Sequence, residues 1–314
     1  MRIGLDISGG DFAPHEIIKG AVAAQPELPA DAGIVLFGDQ EVAQNIIAQS
    51  GGNPSLFDFV HCTEVIAMHE HPAKSFQQKQ DSSIVKGFQY LREGRIDALC
   101  SAGNTGAMMV GSALVIKTVE GILRPVIASL MPKVNGGWGI FLDVGVNADC
   151  KPEHMQQFAI LGSLYAEHVL HIKNPKVALM SIGEEEEKGN ALTKESHQLL
   201  KQTHGINFVG NVEGRDLFND KSDVIVCDGF TGNIMLKEAE SFYTLLKQRN
   251  ISDPFFDQFN YEIYGGTPVI GINSTVMIAH GISSALAIKN LLKNTCEVVE
   301  AQLAGKITAA LAAK

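Results

Sequence analysis

Short apolar runs alternate along the chain with stretches of helical periodicity. Residues 3–7, 34–37, 96–101, 138–144, 177–181 and 223–227 have strand composition. Each precedes a segment whose apolar positions recur at helical spacing: 14–24, 40–49, 105–118, 152–170, 190–202 and 233–248. Strands alternating with helices of ~10–15 residues predict βαβ units around a largely parallel sheet, an α/β fold. No solenoid repeat or low-complexity linker interrupts the pattern, so a single catalytic α/β domain over 1–314 is expected. Residues 249–267, with Pro254, Gly265, Gly266 and three phenylalanines, read as an irregular excursion. Residues 283–314 read as one or two C-terminal helices rich in Ala, Leu and Ile.

The chain has 314 residues, which suits one large α/β unit or two intimate lobes. With 45% hydrophobic residues it has enough apolar material to form a core without disulfides or a structural metal. The 31 glycines exceed the usual share and point to tight turns where backbone approaches something closely. A net charge of −10 disfavours nucleic-acid binding through a broad basic surface. Cys62, Cys100, Cys150, Cys227 and Cys296 are scattered, with no C-x-x-C pair, which fits a reducing cytosol. Cys100 and Cys227 lie in apolar runs and read as core thiols. No secretory segment opens the sequence and no run of 18 apolar residues occurs, so no membrane span is expected.

The dinucleotide fingerprint, the P-loop, the zinc-protease helix and the nucleophile elbow are all missing. Glycine- and asparagine-rich turns stand at the strand ends instead: Ser8-Gly9-Gly10-Asp11, Ser101-Ala102-Gly103-Asn104-Thr105-Gly106, Asp143 to Asp149 with Asn147, Gly183 to Asn190, and Asp228-Gly229-Phe230-Thr231-Gly232-Asn233. In open α/β sheets ligands gather at the carboxyl ends of strands, where five such turns would line one cleft. The second and fifth turns share a pattern of strand, glycine, then Thr-Gly opening a helix. Glycine lets N–H groups converge, and a helix amino end adds about half a positive charge. With Lys188 and Arg215 nearby in sequence, anion binding is favoured over helix capping alone.

Other features carry less. His69-Glu70-His71 could grip a metal, but adjacent side chains splay apart. Glu184 to Glu187 reads as a solvated face, with Lys188 either salt-bridged to it or turned into the cleft. Residues 79–83 look like a helix start capped by Asp81 or a serine, and Ser82 and Ser83 could equally donate to phosphate. His280 is either a general acid or a helix-boundary histidine.

Three segments, Ser101 to Gly106, Gly183 to Asn190 and Asp228 to Asn233, resemble those of the bacterial phosphate acyltransferases of phospholipid synthesis, the PlsX type. Arg124-Pro125, Leu142 to Gly145 with Asn147, Lys151 to His154, Asn211 to Gly214, Tyr264 to Gly266 and Ala279 to Gly281 extend the resemblance in register to about residue 300. It implies a three-layer α/β/α fold similar to phosphotransacetylases and to the isocitrate and isopropylmalate dehydrogenase group. It further implies conversion of long-chain acyl-acyl carrier protein and inorganic phosphate to acyl phosphate and free carrier. The acyl phosphate would feed a glycerol-3-phosphate acyltransferase early in phosphatidic acid synthesis. A cytoplasmic homodimer, peripheral on the inner face of the membrane and without cofactor or metal, is the implied setting.

On that reading phosphate attacks the thioester directly, since it is already partly dianionic near neutral pH and needs placement more than activation. Lys188, Asn104, Thr105, Asn233 and His280 are the expected catalytic residues. Gly9, Gly10, Asp11, Lys79, Ser82, Ser83, Ser101, Gly103, Gly106, Asn147, Asn190, Gly229, Thr231 and Gly232 are expected to bind substrate or phosphate. Asp6, Asp143 and Asp228 are expected to order the turns by accepting backbone N–H bonds. The chain departs from the family where Gln77, Gln78 and Gln80 dilute a basic stretch, where Ile278 replaces a lysine, at Ser8, and in a shortened segment before Tyr261. In that segment Phe255, Phe256 and Phe259 could insert at a membrane or pack on a dimer partner. Competing readings are a phosphotransacetylase using a coenzyme A thioester, an NAD- and metal-dependent dehydrogenase of related fold, and an inactive carrier- or membrane-binding protein.

Overall fold

The structure, a computed structural model, describes residues 1–312. The last two residues of the expected helical tail lie outside the described residues. The chain begins with β1 (Arg2–Asp6), α1 (His15–Ala24), β2 (Gly33–Gly38), α2 (Gln40–Gln49) and β3 (Phe57–His61). It continues through α3 (Pro72–Gln78), α4 (Ser83–Arg92), β4 (Ala98–Ser101) and α5 (Thr105–Gly111). Next come β5 (Val126–Pro132), β6 (Trp138–Leu142), α6 (Pro152–His168), β7 (Lys176–Met180), α7 (Ala191–Lys201), β8 (Asn207–Val212), β9 (Val224–Val226) and α8 (Gly229–Gln248). β10 (Thr267–Ile270), β11 (Thr275–Ile278), α9 (Ala285–Glu300) and α10 (Leu303–Ala312) complete it. Two compact units result: Met1–Thr118 with Tyr261–Ala304, and Val119–Asn260 with the segment from Gly305 onward.

In the first unit the strands run β3-β2-β1-β4-β11-β10, parallel except for β10, which pairs antiparallel with β11. Successive strand residues point to opposite faces, and β4 displays this directly. Leu99 packs under α4, where a Cβ on Gly87 would meet its Cδ1 at 2.5 Å. The next residue, Cys100, places its thiol 3.2 Å from the Thr295 hydroxyl of α9 on the other face. Helices therefore cover both faces, and α1 lies against α9 with Gly20 close to Ile288.

In the second unit the order is β5-β6-β9-β7-β8, with β5 antiparallel to β6 and the rest parallel. α6 packs on this sheet through Gly162, whose absent side chain leaves room for Val224 and Leu142. Phe141, Phe158, Leu142 and Val224 are fully buried there.

The alternation read from the sequence is present, and the helix over 40–49 has the expected bounds. The helix expected over 105–118 is α-helical only to Gly111; Ser112–Ile116 widens into a π-helix that ends at Lys117, φ 67°. β3, α3, β5, β8, β10 and β11 lack a periodic signature of their own, being short or completed by neighbours across the sheet. The excursion before β10 contains only 3-10 turns, at Phe256–Phe259 and Tyr261–Ile263.

Candidate active site

In the first unit three turns meet at the carboxyl ends of β1, β4 and β11. Asp6 closes β1 fully buried; it accepts the Ser8 amide at 2.9 Å and the Ser101 hydroxyl at 2.7 Å. Burial pushes its carboxyl up, against the pull of Ser83, Ser101 and the amides of Ser8 and Gly9. Ser101 in turn accepts the Gly103 amide at 2.9 Å. A Cβ on Gly9 would stand 2.6 Å from the Gly103 Cα, so the two turns touch backbone to backbone. Gly10 has φ +106°, and the Asp11 amide donates to the Gly281 carbonyl at 2.7 Å, which joins the third turn. Asp6 thus joins the turn after β1 to the turn after β4.

Several expected ligand residues here are engaged within the protein. Asn104 caps α5 by accepting the Ala107 amide at 3.0 Å. Its amide nitrogen points at the carbonyls of Ala67, Met68 and Glu70, at 3.0, 3.2 and 3.1 Å. Lys79 donates to the Val65 carbonyl at 2.6 Å and pairs with Glu70 at 2.7 Å. Ser82 caps α4 and donates to the Lys79 carbonyl at 2.7 Å; Ser83 is buried facing Asp6. Glu70 serves Lys79 and His71 caps α3, so the His69–His71 segment has structural work. Gly106 lies against Pro72, and Thr105, the first residue of α5, is exposed. The His280 ring lies 4.8 Å from that of Tyr261, and its carbonyl accepts the Ser283 hydroxyl at 2.6 Å. Ile278, where a lysine was expected, is a buried strand residue.

In the second unit Asp143 follows β6 and is buried; Asn147 donates to it through its backbone N–H at 2.6 Å and its side chain at 2.8 Å. Burial raises this carboxyl too. Asn147 also donates to the Pro125 carbonyl at 2.9 Å and accepts the Gly229 amide, tying the turn to the start of α8. Gly229 and Gly232 have no room for a side chain. At Gly229 a Cβ would stand 2.8 Å from the Asn147 nitrogen, and at Gly232 it would fall on the Asp143 carbonyl. Asp228 caps α8 by accepting the amide and the hydroxyl of Thr231 at 2.9 and 2.8 Å. Asn233 is exposed and lies beside Gly145.

The glutamate run is a paired surface: Glu184 binds Lys221 at 2.6 Å and Glu186 binds Lys201 at 2.5 Å. Asn211 holds the same loop from beneath, donating to the Glu185 carbonyl at 2.9 Å while its oxygen meets buried His197 at 2.8 Å. Lys188 has no ion-pair partner among the described residues, and its side chain is exposed. Asn190 caps α7, accepting the Thr193 amide at 2.9 Å.

The 188–190 loop, the amino end of α7 and the amino end of α8 border one cavity of about 510 Å³. Gly189, Asn190, Asp228 and Thr231 line it, together with Met155, Met180 and Met235, which the sequence does not bring to notice because they come from three separate elements. The thiol nearest these turns is a poor nucleophile: burial, then Asp228 and Asp143, push Cys227 well up. Burial likewise pushes the Cys150 thiol up to about 11. Among the described residues no three His, Cys, Asp or Glu side chains group to hold a metal ion.

Residues 1–306 match the family described as "Fatty acid synthesis protein". The chain is 43% identical over 326 residues to the phosphate acyltransferase of Dictyoglomus turgidum, covering 98% of this chain and 96% of that one. The chain belongs to the phosphate acyltransferase family. The corresponding enzyme of Desulforamulus reducens is 45% identical over 331 residues, covering 99% and 97%. Membership makes the chain an acyltransferase of fatty acid and phospholipid synthesis. Among solved structures, a phosphotransacetylase from Streptococcus pyogenes matches with a TM-score of 0.68 at 17% identity, covering 96% of this chain and 94% of that one. A 4-hydroxythreonine-4-phosphate dehydrogenase from Klebsiella pneumoniae matches at 0.55 and 13%. These likenesses show the fold, three-layer α/β/α with a largely parallel sheet.

Phe259 is buried, and Phe255 and Phe256 are half-buried. The three form one aromatic cluster with Phe218, with centroids 5.0 to 6.1 Å apart. No helix among the described residues is long and apolar enough to cross a membrane.

Proposed function

We propose that this acyltransferase moves a long-chain acyl group from acyl carrier protein to inorganic phosphate, releasing acyl phosphate and free carrier thiol. The observation that carries the reading is the junction in the second unit: the amino ends of α7 and α8 and the loop bearing Lys188, which has no ion-pair partner among the described residues, all border one cavity. Two helix amino ends and a lysine favour an anion there. Asp228 is held at the start of α8 by the amide and the hydroxyl of Thr231.

Phosphate oxygen attacks the thioester carbonyl, a tetrahedral oxyanion forms, and collapse expels the carrier thiolate. A thiolate is a good leaving group, with a thiol pKa of ~8.5. Lys188 neutralises the attacking dianion and Thr231 and Asn233 orient it. Asp143, Asn147, Gly229 and Gly232 act by fixing the amino end of α8. In the first unit Asn104 and Lys79 hold the 65–71 loop. The high thiol pKa of Cys227 and Cys150 supports direct attack without an acyl-cysteine.

The family resemblance further supports a homodimer, peripheral attachment to the inner face of the membrane, and delivery of product to a glycerol-3-phosphate acyltransferase.

The test is phosphate-dependent formation of palmitoyl hydroxamate from palmitoyl-carrier protein in the presence of hydroxylamine. Product with the carrier thioester, lost in Lys188→Ala, upholds the reading. Turnover with palmitoyl-coenzyme A alone would favour phosphotransacetylase activity, and a covalent acyl-protein in a single-turnover quench would sink direct attack.

A further inference from the structure

We propose that the methionine-lined cavity of the second unit holds the alkyl chain of the acyl substrate, an inference that rests on the acyl transfer proposed above. Its size, about 510 Å³, lies within the range of small-molecule sites. One part of its wall is polar, with Ser181, Asn190, Asp228 and Thr231. The remainder is largely apolar: Met155 from α6, Met180 at the end of β7, Met235 from α8, with Ile182 and Leu192. A nucleotide or sugar phosphate would need fixed donors along such a wall, and a hydrocarbon needs none. The polar part adjoins the Lys188 loop, so a chain lying against the methionines would have its carbonyl end beside the anion site.

Methionine suits this task. It is unbranched and polarizable, with three rotatable bonds, and adapts to chains that differ in length or bend. Met155 and Met180 are 2% and 8% exposed, so they form a packed floor, whereas Ile182 is 81% exposed and marks the entrance. The cavity then acts as a ruler. Each methylene it buries favours the longer substrate by up to about fourfold in kcat/KM, until the floor is reached.

Gly214 offers a plug on the methionine side of the cavity, facing Met235. It lines the cavity, and a Cβ there would stand 3.5 Å from the Met235 methyl carbon, an ordinary contact. Gly214→Leu should lower kcat/KM for palmitoyl-carrier protein at least about tenfold while changing that for butyryl-carrier protein less than about twofold. Met235→Ala should move the optimum toward longer chains. An equal loss at every chain length in a folded Gly214→Leu protein, or an unchanged profile, would overturn the proposal.

A binding measurement on the wild-type chain decides the matter apart from turnover. With methionine methyl groups labelled with carbon-13, a non-hydrolysable palmitoyl phosphonate should shift the Met155, Met180 and Met235 signals, and methyl phosphonate should not. Absence of those shifts at saturation overturns the cavity assignment. If the wild type makes no acyl phosphate from any thioester, acyl transfer falls, and the methionine signals still show whether the cavity takes an alkyl chain.

Discussion

Lys79 and Glu70 form an ion pair at 2.7 Å, and Lys79 also donates to the Val65 carbonyl at 2.6 Å. A lysine in the family's basic stretch thus works inside the first unit, as a clamp on the 65–71 loop. The Glu70 carboxyl is held below its ordinary range, chiefly by Lys79. Lys79→Met should leave the phosphate KM within about twofold of wild type while lowering Tm slightly, because part-exposed pairs contribute little. Phosphate titrations of hydroxamate formation, beside thermal melts, check this; a tenfold rise in phosphate KM would return Lys79 to the substrate.

Lys188 is the contrasting case, an exposed lysine with no ion-pair partner among the described residues, on the loop whose Gly189 and Asn190 line the cavity. Lys188→Ala should raise the phosphate KM by on the order of tenfold to a hundredfold, the worth of one charge-assisted hydrogen bond. Its Tm should stay near that of wild type, since the side chain supports nothing else. Lys188→Arg should recover part of the loss, because the charge remains but its geometry changes.

Asn104 answers the same question for a polar side chain. Its amide nitrogen faces three carbonyls and its oxygen caps α5. Asn104→Ala should cost about 1–3 kcal/mol by removing the α5 cap and the three bonds to the 67–70 carbonyls. Asn104→Asp keeps the cap but turns a carboxylate toward those carbonyls, and should be no more stable than the alanine variant at neutral pH. Urea melts of the two variants check the order; an aspartate variant as stable as wild type would mean that the amide donors contribute nothing.

What the sequence made legible was local. Asn104, Asn190 and Asp228 begin helices because short polar side chains cap amino ends, and each does so here. Asp6 and Asp143 at strand ends accept backbone N–H groups of the turns that follow. Partners set by tertiary register were not legible. Glu70 reaches Lys79 because α3 returns the chain to the 65–71 loop. The methionine cavity draws on α6, β7 and α8, which share no periodicity. The π-helix after Gly111 is another such case, since that glycine lies under the Phe88 ring of α4.

Acid should loosen the loop that carries Lys188. Asp216 is buried, which pushes its carboxyl up, but Lys221 at 2.8 Å, the Glu213 amide at 3.1 Å and Asn219 at 2.8 Å outweigh this and hold it below its ordinary range. Lys221 also binds Glu184 in the glutamate run. A carboxyl lowered on folding stabilises fully above its unfolded pKa, near ~3.9, and that stability is lost as pH falls through the folded value. Tm should therefore drop below about pH 4 in the wild type. Asp216→Asn should melt lower at pH 7 yet lose less between pH 4 and pH 3; parallel slopes in the two proteins would remove Asp216 from the acid transition.

Gly232 tests whether the amino end of α8 depends on backbone contact. A Cβ there would fall on the Asp143 carbonyl and stand 2.9 Å from the Cys227 sulfur. The Asp143 carbonyl is backbone and cannot swing away as a side-chain tip would, so the helix start must move. Gly232→Ala should cost about 1–3 kcal/mol as overpacking, and should lower kcat/KM further than stability alone explains, because it displaces Thr231 and Asn233 together. Gly305→Ala is the matched control. That glycine lies in α10 with nothing within 4 Å of the added carbon, so the change should stabilise by about 0.4–1 kcal/mol. Equal Tm values for the two variants would show that the contact at Asp143 relaxes freely and that α8 is not anchored through it.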